Sequence, residues 1–238
     1  MIYKIGLLGA TGRMGLEIAA LLAEDYAVGS AHLELADAVA ASGKVVSIEG
    51  VDVRKLDDPP REPVHAWIDF SRPEATVRLL DQIDTPILIG TTGLKAEHLE
   101  RIERYAETHP VILAANTSLG MNLFFSILAN LPVLDWVTDV RVTDEHHRLK
   151  KDSPSGSALE LKRILESKGF TDFEVQSTRA GSVPGTHTVQ FYGRGEEFTL
   201  IHRVTERKVF AEGALRGIAY LLQQKTPGLH SLTERKTI

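Results

Sequence analysis

Between Glu145 and Ala158 the chain reads EHHRLKKDSPSGSA, which sets His146 and His147 beside Arg148, Lys150 and Lys151 and just ahead of a helix-start signal. Imidazoles exchange protons near neutrality, and lysine and arginine hold anions. Together they suit proton transfer to an anionic ligand. Val137 to Val142 alternates apolar and polar residues, predicting a strand that delivers both histidines at its C-terminal end. Asp152, Ser153 and Pro154 then supply a cap and a proline suited to the first helical position. Ala158, Leu159, Leu161, Ile164 and Leu165 follow at helical spacing, and the helix should end before Gly169. Its opening turn, Ser155, Gly156 and Ser157, would offer backbone N–H groups and two hydroxyls to an anion such as a carboxylate. A solvated strand exit would carry the same charges, but the helix start beside them favours a site. No metal is expected, because adjacent strand residues point to opposite faces and the chain has no cysteine to complete a ligand set.

A second chemical stretch stands near the N-terminus. Ile2 to Leu8 reads as a buried strand and is followed by Gly9, Ala10, Thr11, Gly12, Arg13, Met14 and Gly15, then an apolar helix from Leu16 to Leu22. A G-x-x-G-x-x-G loop between strand and helix brings backbone N–H groups up to a pyrophosphate, and Arg13 adds charge. A structural turn is the plainer alternative; the strand–loop–helix setting favours a dinucleotide, NADH or NADPH. Tyr26 to Ala31 is expected to form the second strand, which makes Glu34, about twenty residues after the last loop glycine, the candidate ribose contact, with Asp37 close by. Residues 28–38 contain no arginine or lysine for a 2′-phosphate, so NADH should serve at least as well as NADPH.

These two stretches need a scaffold. Strands are predicted at 64–70, 87–89 and 111–114 and helices after Ser71-Arg72-Pro73 and over 95–108, so strands and helices alternate as in a Rossmann-type α/β domain. Gly90, Thr91 and Thr92 end one strand and are placed to line the nicotinamide half of the site. The segment from Ala115 to Gly120, before the apolar helix 121–131, reads as a hinge. Beyond the helix that starts near Ser155, strands at 173–178, 186–192 and 197–204 come consecutively, predicting a smaller α+β domain with a mostly antiparallel or mixed sheet. A last helix, 209–224, should return to the first domain. The expected division is 1–117 with 208–238, and 118–207.

Composition narrows the classes. A hydrophobic content of 43% supports a packed core, and a formal charge of -5 lacks the basic face a nucleic-acid binder needs. With no cysteine there is neither disulfide nor thiol chemistry, and no apolar run reaches membrane-spanning length. The opening MIYKIGLLGATGRMG looks like a strand, not a leader. A soluble cytoplasmic protein with no membrane or nucleic-acid partner is expected.

The motifs GATGRMG (from Gly9), IDFSRPEAT (Ile68 to Thr76), GTTG (from Gly90), AANTSLGMN (Ala114 to Asn122), HHRLKKDSPSGSA, RAGSVPGTHTV (Arg179 to Val189) and FAEGAL (Phe210 to Leu215) span nearly the whole chain. In that order they resemble the 4-hydroxy-tetrahydrodipicolinate reductase (dihydrodipicolinate reductase) family; the double histidine followed by K-x-D-x-P-S-G is the specific part. The resemblance implies NADH- or NADPH-dependent reduction of a cyclic dicarboxylate to tetrahydrodipicolinate, with loss of water, on the diaminopimelate route to lysine. It implies that His146 donates or accepts the proton and that Lys150 is a further proton donor. His147, Lys150, Ser155, Gly156 and Ser157 would hold the carboxylates, with Thr92 near both substrate and nicotinamide. The implied cofactor contacts are Gly9, Ala10, Thr11, Gly12, Arg13 and Met14, then Gly90 to Thr92, and Ala114, Ala115, Asn116 and Thr117. The second domain becomes the substrate-binding and oligomerisation domain, its sheets stacking to give a homo-oligomer. The chain is shorter between Leu165 and Arg179 than well-known members, which leaves tetramer and dimer open. Thr117 stands where the family commonly has phenylalanine, Ser157 replaces threonine and Asp144 replaces glutamate. Aspartate and diaminopimelate dehydrogenases share such a glycine loop but not HHRLKKDSPSG, and a non-catalytic NAD(P) sensor would need neither His146 nor Lys150.

Overall fold

The computed structural model describes residues 1–24, 26–40, 47–132 and 134–232. The chain divides into two compact units, 1–117 with 210–238, and 118–209. In order, the chain forms β1 (Ile2–Leu8), α1 (Arg13–Ala23), β2 (Ala27–Val28), β3 (Ala31–Ala40), β4 (Ser47–Ile48), β5 (Val51–Lys55) and β6 (Ala66–Asp69). Then come α2 (Pro73–Leu80), β7 (Ile87–Ile89), α3 (Ala96–Ala106) and β8 (Pro110–Leu113). The second unit holds α4 (Leu119–Ala129), β9 (Val137–His146), α5 (Gly156–Ser167), β10 (Val175–Arg179), β11 (Gly185–Gly193) and β12 (Glu196–Val204). The chain closes with α6 (Lys208–Leu221) and β13 (Gly228–His230). Residues 233–238 of the expected first domain lie outside the described residues.

In the first unit the strands run β13-β8-β7-β6-β1-β3-β5-β4, with β2 paired to β3. β1 is parallel to β3 on one side and to β6 on the other. The chain therefore leaves β1 in one direction along the sheet and later returns on its far side, creating the switch point at which α/β sheets bind ligands beyond their carboxyl ends. The central strands are buried on both faces, which is why β6 and β7 are short and continuously buried instead of alternating. α6 completes the core: Ala214, Leu215 and Ile218 pack with Ile68, Leu88 and Ile112. Gly217 lets the helix come close, since a Cβ there would lie 2.6 Å from Leu88 Cδ1.

The second unit is two-layered. Its sheet runs β10-β9-β11-β12, with β10 parallel to β9 and the other pairs antiparallel, so the sheet is mixed. Met121, Phe124 and Leu128 of α4 and Leu161, Ile164 and Leu165 of α5 cover Val142, Val189 and Phe191. Among the described residues no helix is long and apolar enough to cross a membrane.

Two elements differ from the sequence expectation. Gly29, at φ +59, turns the chain after β2, and β2 folds back antiparallel on β3. The second parallel strand is therefore 31–40, not 26–31. In the second unit Pro154 is not the first helical residue: its peptide bond to Ser153 is cis, and Ser155 is the N-cap, its Oγ accepting from the Ala158 N–H at 3.2 Å. Asp152, read as the cap, instead turns its carboxylate to Lys150.

Candidate active site

Side chains at 142, 144 and 146 share one face of β9 because strand residues alternate, and that face is buried. A buried carboxylate at Asp144 is costly unless hydrogen-bonded and paired. Here Oδ2 accepts from the Ser155 N–H at 2.9 Å, the Ser177 hydroxyl at 3.1 Å and Arg179 Nη2 at 2.9 Å, while Oδ1 accepts from the Ser155 hydroxyl at 2.9 Å. His146 Nδ1 stands 2.7 Å from Oδ1, off the axis of a well-formed hydrogen bond. Burial alone would push Asp144 up, but His146, the Ser155 N–H and Arg179 outweigh it and hold the carboxyl well below the usual carboxylate range. Strand register assembles the group, since β10 sets Ser177 opposite Asp144 and Arg179 opposite His146, and β11 sets His187 opposite Asp144.

His187 completes the cluster from β11. Its Nε2 lies 3.1 Å from the Ser155 hydroxyl, and its ring meets that of His146 edge-on, with centroids 5.2 Å apart. Burial, reinforced by the neighbouring His146, pushes His187 down to about 3, so it is neutral at pH 7 and its 3.5 Å approach to Asp144 is no ion pair. Asp144, His146 and His187 are close enough to share a metal ion. The guanidinium of Arg179 already balances the one carboxylate, which makes this donor set a poor cation site.

The cationic turn follows at once. Ala180 N–H donates to His146 O at 2.9 Å and Lys150 N–H to His147 O at 3.1 Å, so residues 146–150 form a tight exit tied to the 180–181 loop. Arg179 Nη2 also donates to Asp152 O at 2.6 Å, fastening the far end of the turn. Lys150 Nζ is 2.8 Å from Asp152 Oδ2 and only part-exposed, whereas Lys151 is exposed. His147 is half-buried and Ser157 buried. Ser155 is a correction: it was expected to offer its hydroxyl and N–H to an anion, but both are engaged by Asp144 and it is 2% exposed. It positions the helix, and Gly156 opens α5 with a first-turn N–H that has no intrahelical acceptor. At Gly185 an added Cβ would lie 2.9 Å from His146 Nε2, so any side chain there would press on the imidazole.

In the first unit the glycine loop has the geometry of a pyrophosphate cradle. Gly9 turns at φ +85, and a Cβ there would lie 2.4 Å from Phe70 O. A Cβ on Gly12 would meet only Gly9 O, at 3.1 Å, leaving its outer side open to a ligand; one on Gly15 would strike Gly9 O at 2.3 Å, so that glycine seats the helix against the strand. These are the three roles such glycines play. Gly12 caps α1 without a side-chain bond, leaving the first-turn N–H groups facing outward, next to exposed Arg13 and half-buried Met14. A cleft of ≈ 370 Å³ adjoins, lined by Gly9, Thr11 and Gly12, by Ala40 and Lys55, and by Phe70 to Arg72 among others; Ala10 is buried beneath the loop. The residues present therefore fit a dinucleotide.

The other carried-over cofactor positions fall at neighbouring strand ends. Buried Asp69 accepts from the Ser71 N–H at 2.9 Å and from the hydroxyls of Ser71 and Thr76, and the Thr91 hydroxyl accepts from the same Ser71 N–H at 2.9 Å. Burial pushes Asp69 up, opposed by the Ser71, Thr76 and Thr91 bonds. Thr91 thus faces inward and joins two loops, while Thr92 is exposed. Gly90 sits against Phe70, whose ring a Cβ would strike at 2.4 Å. Ala114 is buried, Ala115 exposed and Asn116 half-buried. Thr117 is 2% exposed and its hydroxyl donates to Phe210 O at 2.7 Å, so its side chain joins the two crossings of this unit. Glu34 is a second correction. It pairs with Lys4 early in β3, about 20 Å from that strand's carboxyl end at roughly 3.3 Å per residue, and so is remote from the glycine loop.

A switch-point sheet with a three-glycine cradle, joined in one chain to a separate mixed sheet bearing a buried Asp–His pair, defines a two-unit NAD(P)-dependent oxidoreductase. Residues 3–117 match the family model for dihydrodipicolinate reductase, N-terminus, and residues 120–234 that for its C-terminus. The 4-hydroxy-tetrahydrodipicolinate reductase of Rubrobacter xylanophilus is 33% identical over 255 residues, covering 97% of each chain. The chain belongs to the dihydrodipicolinate reductase family. Among solved structures, dipicolinate-bound dihydrodipicolinate reductase from Paenisporosarcina sp. TG-14 superposes with TM-score 0.66 at 20% identity, over 97% of this chain and 98% of that one. Aspartate dehydrogenase from Thermotoga maritima superposes at 0.53 with 15% identity, over 94% and 97%, so the fold is shared beyond the family.

Proposed function

We infer that this chain catalyses the NAD(P)H-dependent reduction of 4-hydroxy-tetrahydrodipicolinate to tetrahydrodipicolinate with loss of water, in lysine biosynthesis by the diaminopimelate route. The observation that carries the chemistry is the buried Asp144–His146 pair at the root of the cationic turn. With Nδ1 turned to the carboxylate, that nitrogen keeps its proton and Nε2 is left to exchange one with a ligand. When bound, the reduced nicotinamide supplies the hydride. The chain must then supply a proton and hold two carboxylates, and His146 serves the first task with Lys150 as second donor. The Lys150 ammonium, His147 and the opening of α5 serve the second, stabilising charge that grows as the ring is reduced.

Pyridine-2,6-dicarboxylate, the dipicolinate bound in the Paenisporosarcina structure, tests this site without turnover. Calorimetry should show it binding this chain, with the monocarboxylate pyridine-2-carboxylate at least ~10-fold weaker because one charge-assisted contact is gone. Equal affinity for both, or no binding of either, would remove the dicarboxylate site. Assembly as a homo-oligomer belongs to the same proposal and is supported by exposed Ile201 on β12, an apolar side chain on the opposite face of the strand from core-packed Leu200, which a second copy would cover. A monomer by light scattering at micromolar concentration would contradict it.

A further inference from the structure

The corrected second strand moves the place where a nucleotide's ribose must be sought. In sheets of this class an acid at the carboxyl end of that strand holds the ribose hydroxyls and disfavours a 2′-phosphate. Here the strand ends at Val39 and Ala40, and its last acid, Asp37, is 2% exposed and gripped by Arg54 through bonds of 2.8 Å from Nε and 2.7 Å from Nη2. Residues 38–48 contain no aspartate or glutamate at all.

What stands beside the strand end is a cation. Ala40 is in register with Lys55 of β5, one strand over, at the usual spacing of about 4.8 Å. Both residues line the cleft that also contains Gly9, Thr11 and Gly12. The Lys55 backbone is held from both sides: its N–H donates to Asp58 Oδ2 at 2.9 Å, and Arg54 Nη1 donates to its carbonyl at 3.2 Å and to Asp58 O at 2.6 Å. Its side chain is exposed. Among the described residues the one carboxylate lining the cleft, Asp57, is paired with Arg78, and Arg72 lines the same space, so three described cations face a single compensated anion.

We propose that Lys55 is the specificity residue for the cofactor, its ammonium receiving the 2′-phosphate of NADPH, and that the chain therefore prefers NADPH to NADH. The expectation that NADH serves at least as well as NADPH rests on residues 28–38, the body of β3, whereas Lys55 stands beside its end. This proposal rests on the reading of the first unit as a dinucleotide site, and adds which nucleotide it takes.

Equilibrium binding to the full chain tests it, using the fluorescence of NADPH and NADH and, separately, calorimetry with 2′,5′-ADP and 5′-AMP. The wild type should bind NADPH at least ~10-fold more tightly than NADH, and 2′,5′-ADP more tightly than 5′-AMP, the scale of one charge-assisted phosphate contact. Lys55→Met, which keeps the apolar stem at an exposed position, should weaken NADPH and 2′,5′-ADP by about 10- to 100-fold and change NADH and 5′-AMP by less than about twofold. Lys55→Arg should retain most of the preference, and the NADPH advantage should shrink with added salt. An NADPH/NADH ratio unchanged in Lys55→Met overturns the proposal while leaving the dinucleotide site standing. If folded wild-type protein binds neither nucleotide, the dinucleotide reading itself fails, and the proposal fails with it.

Discussion

His146→Gln should lower kcat by roughly 10²-fold or more while leaving NAD(P)H binding to the first unit within about twofold, the scale on which loss of a general acid is felt. Glutamine fills much of the imidazole's space and still donates hydrogen bonds, but it cannot deliver a proton. Lys150→Ala should also lower kcat, and should raise KM as well, because its ammonium both carries a proton and holds a carboxylate. Lys151, one residue on and fully at the surface, has neither task, and Lys151→Ala should be nearly silent. Steady-state kinetics, with circular dichroism to confirm folding, separates these outcomes. Small, equal effects at all three positions would reduce the turn to a solvated charge cluster.

Asp144→Asn should be as damaging to turnover by a different path. An amide at this position can present an N–H to His146 Nδ1 and so favour the wrong tautomer, a change that costs roughly 10²- to 10⁴-fold where a catalytic histidine depends on its carboxylate. It also leaves Arg179, whose side chain is mostly buried, without its anion, so stability should fall by about 3 kcal/mol. The sign with pH follows from the depressed Asp144 pKa. The stabilising contribution of Asp144 is fully present above the unfolded carboxyl value of about 3.9 and is lost as pH falls further towards the folded value, so the gap between wild type and Asp144→Asn should close in acid. Asp144→Glu, which restores a carboxylate, should recover much of kcat. Denaturation at several pH values alongside kinetics checks this; a neutral effect of Asp144→Asn on kcat would make the residue purely structural.

Much of this molecule was legible before any coordinates. The glycine loop and the histidine turn are local motifs, so their residue types alone specify a cradle and a proton-exchanging cationic exit, and the switch from alternating strands and helices to consecutive strands marks the second unit. What escaped depended on contacts distant in sequence. Arg179, Ser177 and His187 reach Asp144 only through the register of three strands. A signal was present, because an acid between Val142 and His146 on a period-two face must be buried and must find a partner. Ser155 was misjudged for the same reason: its donors look free in sequence and are taken up by a carboxylate eleven positions earlier. Glu34 lies far from the loop because Gly29 and Ser30 turn the chain between β2 and β3, a turn that the residue pattern of 26–31 does not signal.

The most direct measurement is a coupled assay, in which a purified dihydrodipicolinate synthase generates the unstable cyclic substrate in place and oxidation of NAD(P)H is followed by its absorbance. The wild-type chain should oxidise the nucleotide only while the synthase is turning over, and His146→Gln should lose that rate by roughly 10²-fold or more while still binding nucleotide. A folded, nucleotide-binding wild type that shows no synthase-dependent oxidation would contradict the reductase assignment.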